Sequence, residues 1–215
     1  MSKHDPDYRS LVAHYEDCLA RHGDTHLGVD WPDAADAATR YRVMLDVIRE
    51  PAGEPVSLLD FGCGAGHLLD YIRANDIGSI DYRGLDASPK FISLCLEKFP
   101  DIPFEQRDIL ADPTDIGTTD YIVLNGVLTE RRDMAWNEMF AYMERLLETI
   151  WPFARRGLAF NVMSAQVDWE RDELFHVPFD AMAKFVASRL SRHFRFRQDY
   201  GLYDFTTYVY RQPSS

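Results

Sequence analysis

Three glycines at alternate positions, Gly62, Gly64 and Gly66, stand in LLDFGCGAGHLL between two apolar runs, with Asp60 just ahead of them. Glycine costs backbone entropy and weakens strand and helix interiors, so the spacing predicts a turn lying close to a ligand. The pattern is G-x-G-x-G, and His67 stands where a dinucleotide fingerprint places its third glycine. That fingerprint aims a helix N-terminus at a pyrophosphate. Here a carboxylate beside the turn would repel phosphate and attract a cation, which suits a ligand without phosphates. Asp86 follows Gly66 by 20 residues and is placed to accept both hydroxyls of a ribose, a feature shared with nicotinamide sites. Asp108 in QRDI can receive an exocyclic amino group of adenine, with Ile109 as an apolar ring contact. Asn125 ends a later apolar run and faces the same crevice. Strand-terminal aspartates often cap helices, so each residue alone is a weak signal; four in register are a strong one.

Candidates for acid–base work are more scattered. HGDTHLGVDWP holds Asp24, His26 and Trp31, and Gly23 and Gly28 let its backbone bend. The segment is expected to close over the site, with His26 as base and Trp31 as an apolar wall. The alternative for His26 is an ordinary loop residue. Glu130 and Trp136 follow the run ending at Asn125, and His176 lies in LFHVPF, either reaching the crevice or packing as a structural histidine. Arg40 can reach a carboxylate of the ligand from the preceding helix, or stand exposed on it.

Apolar periodicity supplies the elements that would hold these residues. Residues 7 to 22 place Leu11, Tyr15, Cys18 and Leu19 at helical spacing. A second helix follows, with Pro32 in its first turn and Ala37, Tyr41, Met44, Leu45 and Ile48 on its buried stripe; EPAGEP ends it. Strand and helix then alternate. VSLLDF, SIDYRGLD, IPFEQRDI, DYIVLNGVL and RGLAFNVM read as strands. Helices fall at residues 65 to 73, at SPKFISLCLEKF with Ser88 as N-cap and Pro89 in its first turn, at 133 to 150, and at PFDAMAKFVASRL. HFRFRQ and YDFTTYVYR alternate with period two, as an antiparallel hairpin does. This is an α/β pattern, a doubly wound and mostly parallel sheet whose ligand lies outside the carboxyl ends of the strands.

The 215 residues suit one domain, 46% are hydrophobic, and the net charge is −12. Such a charge opposes nucleic-acid binding, which needs a basic footprint. Cys18, Cys63 and Cys95 form no CxxC and no metal-ligand spacing, so they are expected to be reduced thiols in a cytoplasmic protein. The polar MSKHDPDYRS predicts no signal peptide, and no apolar run approaches a membrane span.

Taken together, LLDFGCGAGHLL, YRGLDAS, FEQRDI and DYIVLNGVL resemble four motifs of the class I S-adenosylmethionine-dependent methyltransferases. The resemblance covers roughly residues 55 to 211. RHGDTHLGVDWP and DYGLYDFTTYVYR further resemble a poorly characterised bacterial subgroup. It implies a seven-stranded Rossmann-like sheet with an antiparallel last strand, a core at 55–211, and residues 1–50 as a helical N-terminal lid. It also implies that backbone near Gly62, Gly64 and Gly66 approaches the cofactor's methionine and ribose. Asp60 would lie near its amino group, Asp86 and Ala87 near the ribose, and Asn125 near the sulfonium. After the fourth strand, NGVLTERRDMAW lacks the Asp/Asn-Pro-Pro-aromatic motif of nucleic-acid amino-methylation, and NVMSAQ lacks the Asp-Asn pair of the metal-dependent catechol group. The expectation is metal-independent transfer to oxygen or nitrogen of a small molecule, a sugar or secondary metabolite. A nicotinamide-dependent oxidoreductase and a catalytically silent adenosyl-binding module are the alternatives.

Overall fold

The computed structural model describes residues 8–50 and 54–214. Half of the EPAGEP break and most of the polar N-terminus lie outside them. Two helices, α1 (Arg9–His22) and α2 (Ala34–Leu45), flank a 3-10 turn at His26–Val29. Then come β1 (Val56–Phe61), α3 (His67–Ala74), β2 (Ile80–Asp86), α4 (Pro89–Lys98), β3 (Phe104–Gln106) and β4 (Thr119–Leu124). The chain continues through α5 (Trp136–Ile150), β5 (Ala154–Ser164), β6 (His176–Val177), α6 (Phe179–Phe185), β7 (His193–Arg197) and β8 (Asp204–Tyr210).

The main sheet runs β3-β2-β1-β4-β5-β8-β7, with β8 antiparallel to both neighbours, as the sequence pattern predicts. The two-residue β6 is an addition, pairing parallel with the end of β5. Order reverses between β1 and β4, so the ends of those strands open a crevice there. Period-two alternation divides the core. Leu59, Ile122, Phe160 and Phe205 join one cluster with Met139, Met143 and Met182 of α5 and α6. Leu58, Tyr121, Ala159 and Tyr208 join the other with Tyr41, Met44, Leu68 and Ile72 of α2 and α3.

Local chemistry sets the helix starts. The Ser88 hydroxyl accepts from the Lys90 and Phe91 amides with Pro89 in the first turn. Asp33, not Pro32, begins α2, because its carboxylate accepts from the Ala35 and Asp36 amides and leaves Pro32 outside the helix. The last predicted helix ends as a π turn over Val186–Leu190.

Candidate active site

The glycine turn leaves β1 with Gly62, Gly64 and Gly66 all at positive φ, between 51° and 73°. The Gly62 and Cys63 amides donate to Leu85 O, and the Gly64 amide donates to Asp86 Oδ2 at 2.9 Å. Asp86 Oδ1 accepts from the Ser88 amide at 2.8 Å, so the carboxylate locks the turn to the end of β2 while one flank faces the cavity. Gly62 and Gly64 line that cavity and Gly66 does not. A Cβ on Gly66 would lie 2.7 Å from the Phe99 ring, so this glycine seats α3 against α4.

The cavity floor carries three carboxylates from successive strand ends, Asp60, Asp86 and Asp108, together with Ala87, Ile109 and Asn125. Asp60 is 3% exposed and accepts the Tyr82 hydroxyl at 2.7 Å. Burial, which outweighs that hydrogen bond, pushes its carboxyl up to about 7. Burial also raises Asp86, against the pull of its backbone donors. The Oδ1 of Asn125 is buried and accepts no hydrogen bond among the described residues. An acceptor left unpaired at a cavity wall fits a ligand that brings a polar or cationic group. Three carboxylates in one cleft favour a cationic ligand in the same way.

The roof comes from residues 8–31. Tyr8, Leu11, Val12 and Tyr15 of the α1 segment and Val29 and Trp31 beyond the 3-10 turn close over the floor. Tyr8 donates to both Asp108 oxygens, at 2.8 and 2.9 Å, and stacks on Tyr142 with centroids 5.0 Å apart. Burial and Asp108 push the Tyr8 hydroxyl up to about 12, so it remains a donor. Tyr15 donates to Gly126 O at 3.2 Å. Trp31 lies against Gly126, whose φ is +82° and where a Cβ would come within 2.6 Å of the indole. Glu16 holds the outer side through the Ser88 hydroxyl and the Lys90 ammonium.

Several expected site residues lie elsewhere. His26 is half-buried in the 3-10 turn but is not among the residues lining the cavity. Asp24 instead accepts from His67 Nε2 at 2.7 Å and from Lys98 at 2.9 Å. Burial works against its ionisation, but those two bonds hold it below the usual carboxylate range. His67 does line the cavity. The only sequence sign of it was its place after the glycine turn. Arg40 neither reaches the cavity nor stands exposed. It is 8% exposed, pairs with buried Asp204 at 3.0 Å and covers Trp31 at 4.3 Å. Asp204 also accepts from the Asn161 amide, whose Oδ1 holds the Gly126 amide, so this network positions the loop after β4.

His176 is a structural histidine. Its Nδ1–H donates to Ser164 O at 2.8 Å and its Nε2 accepts from the Arg171 amide, which uses both nitrogens. Trp136 donates to His176 O, and neither residue lines the cavity. Glu130 is 9% exposed and also lies off the cavity; burial and Asp30 push its carboxyl up to about 7.

A methyltransferase domain family matches residues 58–149, which hold the glycine turn and the carboxylates of the floor. The chain is 32% identical over 163 residues to "Putative methyltransferase Rv1506c" of Mycobacterium tuberculosis, covering 74% of this chain and 95% of that protein. It belongs to the class I S-adenosylmethionine-dependent methyltransferases. Solved structures share the fold. Magnesium protoporphyrin IX methyltransferase of Synechocystis PCC 6803 with bound S-adenosylmethionine matches at TM-score 0.65 and 14% identity, over 98% of this chain and 100% of that one. Human N-acetylserotonin methyltransferase in complex with the same cofactor matches at TM-score 0.62 and 17% identity, over 96% and 58%. No helix among the described residues is long and apolar enough to cross a membrane.

Proposed function

We propose that the protein transfers a methyl group to an oxygen or nitrogen of a small acceptor, a sugar or secondary metabolite. The observation that carries this reading is the roof. With Tyr15, Val29 and Trp31 closing the cavity over Asn125 and Gly126, an acceptor must fit beneath a lid rather than lie in an open groove. The net charge of −12 also disfavours a nucleic-acid acceptor.

In this reading the floor holds the cofactor. Asp60 pairs with its ammonium, Asp86 accepts from the ribose hydroxyls, and Gly62, Gly64 and Ala87 bring backbone close. Asp108 accepts the adenine amino group with Ile109 against the ring, and Asn125 Oδ1 faces the sulfonium. When bound, S-adenosylmethionine supplies an activated methyl for in-line displacement, and alignment accounts for most of the acceleration. The chain's part is then to align the acceptor, exclude water beneath the roof and receive a proton from it. His67 replaces His26 as the base: Asp24 fixes the proton on Nε2 and leaves Nδ1 to accept.

The test is an acceptor screen read by formation of S-adenosylhomocysteine. With the true acceptor, His67→Ala lowers turnover at least tenfold, about 1.4 kcal/mol of barrier, while His26→Ala stays within about twofold, well under that threshold. The reverse order would return the base to His26, and turnover of polymeric substrates alone would overturn the small-acceptor reading.

A further inference from the structure

Behind the roof, off the cavity lining, an imidazole, a thiol and two carboxylates meet. His14 and Cys18 are four residues apart on α1 and so share one helix face. Asp30 follows the 3-10 turn in a left-handed conformation, φ 59°, and Glu130 comes from the loop after β4. His14 Nε2 lies 2.8 Å from Asp30 Oδ2, 3.6 Å from Glu130 Oε2 and 3.7 Å from Cys18 Sγ. The ligand atoms of His14, Cys18 and Asp30 all fall within 4.8 Å of one another. We propose that His14, Cys18, Asp30 and Glu130 form a binding site for a zinc-class divalent cation that clips α1, the 3-10 turn and the loop after β4 together.

Geometry and donor chemistry both support it. Zinc bonds of about 2.0–2.3 Å set neighbouring donors of a tetrahedron roughly 3.3–3.8 Å apart. The His14–Glu130 and His14–Cys18 spacings already match that edge. The His14–Asp30 and Asp30–Glu130 hydrogen bonds must open, and they do so when the cation replaces the protons held in them. Binding releases the Cys18 thiol proton and any proton held among His14, Asp30 and Glu130, and no electron moves. One imidazole, one thiolate and two carboxylates form a mixed set suited to zinc and not to magnesium or calcium, which take oxygen ligands. Cys18 is 2% exposed and the Glu130 side chain 11%, so these two donors are shielded from bulk water, while Asp30 forms the open side of the site. Arg132 donates to Glu130 Oε2 at 3.1 Å and Arg21 to Cys18 Sγ at 3.5 Å, which places second-layer donors on two of the four ligands. None of the four lines the cavity, whereas Tyr15, Val29 and Trp31 beside them do. The cation therefore sets the roof and takes no part in methyl transfer.

The experiment is titration of the purified, metal-stripped full chain with cobalt(II) as a spectroscopic stand-in, then with zinc. Wild type is expected to bind one cobalt per chain. It gains the visible bands of a tetrahedral site and a near-ultraviolet sulfur-to-metal band, which zinc displaces. Cys18→Ser removes the sulfur band, His14→Ala weakens binding at least a hundredfold, and Cys63→Ser changes neither. Zinc raises the unfolding midpoint of wild type and not that of Cys18→Ser, whose own cooperative melt shows that it folds. Failure of folded wild type to bind one cation, or a sulfur band that survives Cys18→Ser, overturns the site.

Discussion

Asp86 and Tyr8 face the same cavity from opposite sides and hold their places by different means. Asp86 is fixed by its neighbours: it ends β2, and its carboxylate takes the amides of Gly64 and Ser88. Tyr8 is fixed by residues 100 and 134 positions away, through its bonds to Asp108 and its stacking on Tyr142. The same contrast separates floor from roof. The floor is strand ends and backbone, rigid because the sheet is rigid. The roof is a helix and a 3-10 turn held mostly by side-chain contacts, the kind of element that opens at low cost.

The largest expected effect lies where the two meet. Arg40 pairs with buried Asp204 beneath Trp31, and Arg40→Met leaves that carboxylate without its cation. Breaking a buried pair in this way costs about 3–5 kcal/mol, read by urea denaturation. The folded fraction still binds S-adenosylhomocysteine within a few-fold, because Arg40 does not line the cavity. A large loss of affinity with stability unchanged would make Arg40 part of the floor.

The next effect tests the floor's electrostatics through pH. Burial pushes the Asp60 carboxyl up to about 7 from an ordinary 3.8. A carboxyl raised on folding contributes stability that is fully present below its unfolded value and is lost as pH rises through the folded one. Isosteric Asp60→Asn should therefore gain on wild type between pH 4 and pH 8, by about 2–4 kcal/mol. A cofactor ammonium beside Asp60 favours the carboxylate, so wild type should release a proton on binding S-adenosylhomocysteine near pH 6. Calorimetry in buffers of different ionisation enthalpy reads that proton; its persistence in Asp60→Asn would contradict the assignment.

Asp86→Ala should weaken S-adenosylhomocysteine by about 1.5–3 kcal/mol, the range for losing a charge-assisted hydrogen bond. The smallest effect belongs to the roof. Tyr8→Phe keeps the stacking on Tyr142 but frees Asp108 for the adenine amino group, so affinity rises a few-fold. A loss instead would show that the Tyr8 hydroxyl serves the bound state.

This division also explains what the sequence could and could not show. The strands, the Ser88 cap and the antiparallel hairpin were legible because period-two alternation and capping are local. Asp60, Asp86, Asp108 and Asn125 were legible because each ends or follows a strand whose register places it in the crevice. The roof was legible only as a segment. That HGDTHLGVDWP covers the cavity through Trp31 could be read from its composition, but the partner of Asp24 could not. His67 lies 43 residues on and meets Asp24 only after α3 packs against the turn. Arg40 was misread because its partner, Asp204, is 164 residues away. Gly66 also leaves room for the Phe99 ring, a contact that no spacing rule shows.

The central claim, that the floor binds the cofactor and the roof only encloses it, is tested most directly by one calorimetric series. Wild type, Asp86→Ala and Tyr8→Phe are titrated with S-adenosylhomocysteine, with NADH as the competing ligand class. The account predicts binding of S-adenosylhomocysteine and none of NADH, a loss of more than tenfold in Asp86→Ala, about 1.4 kcal/mol, and equal or tighter binding in Tyr8→Phe. Wild-type affinity in Asp86→Ala, with the loss appearing in Tyr8→Phe, would contradict it.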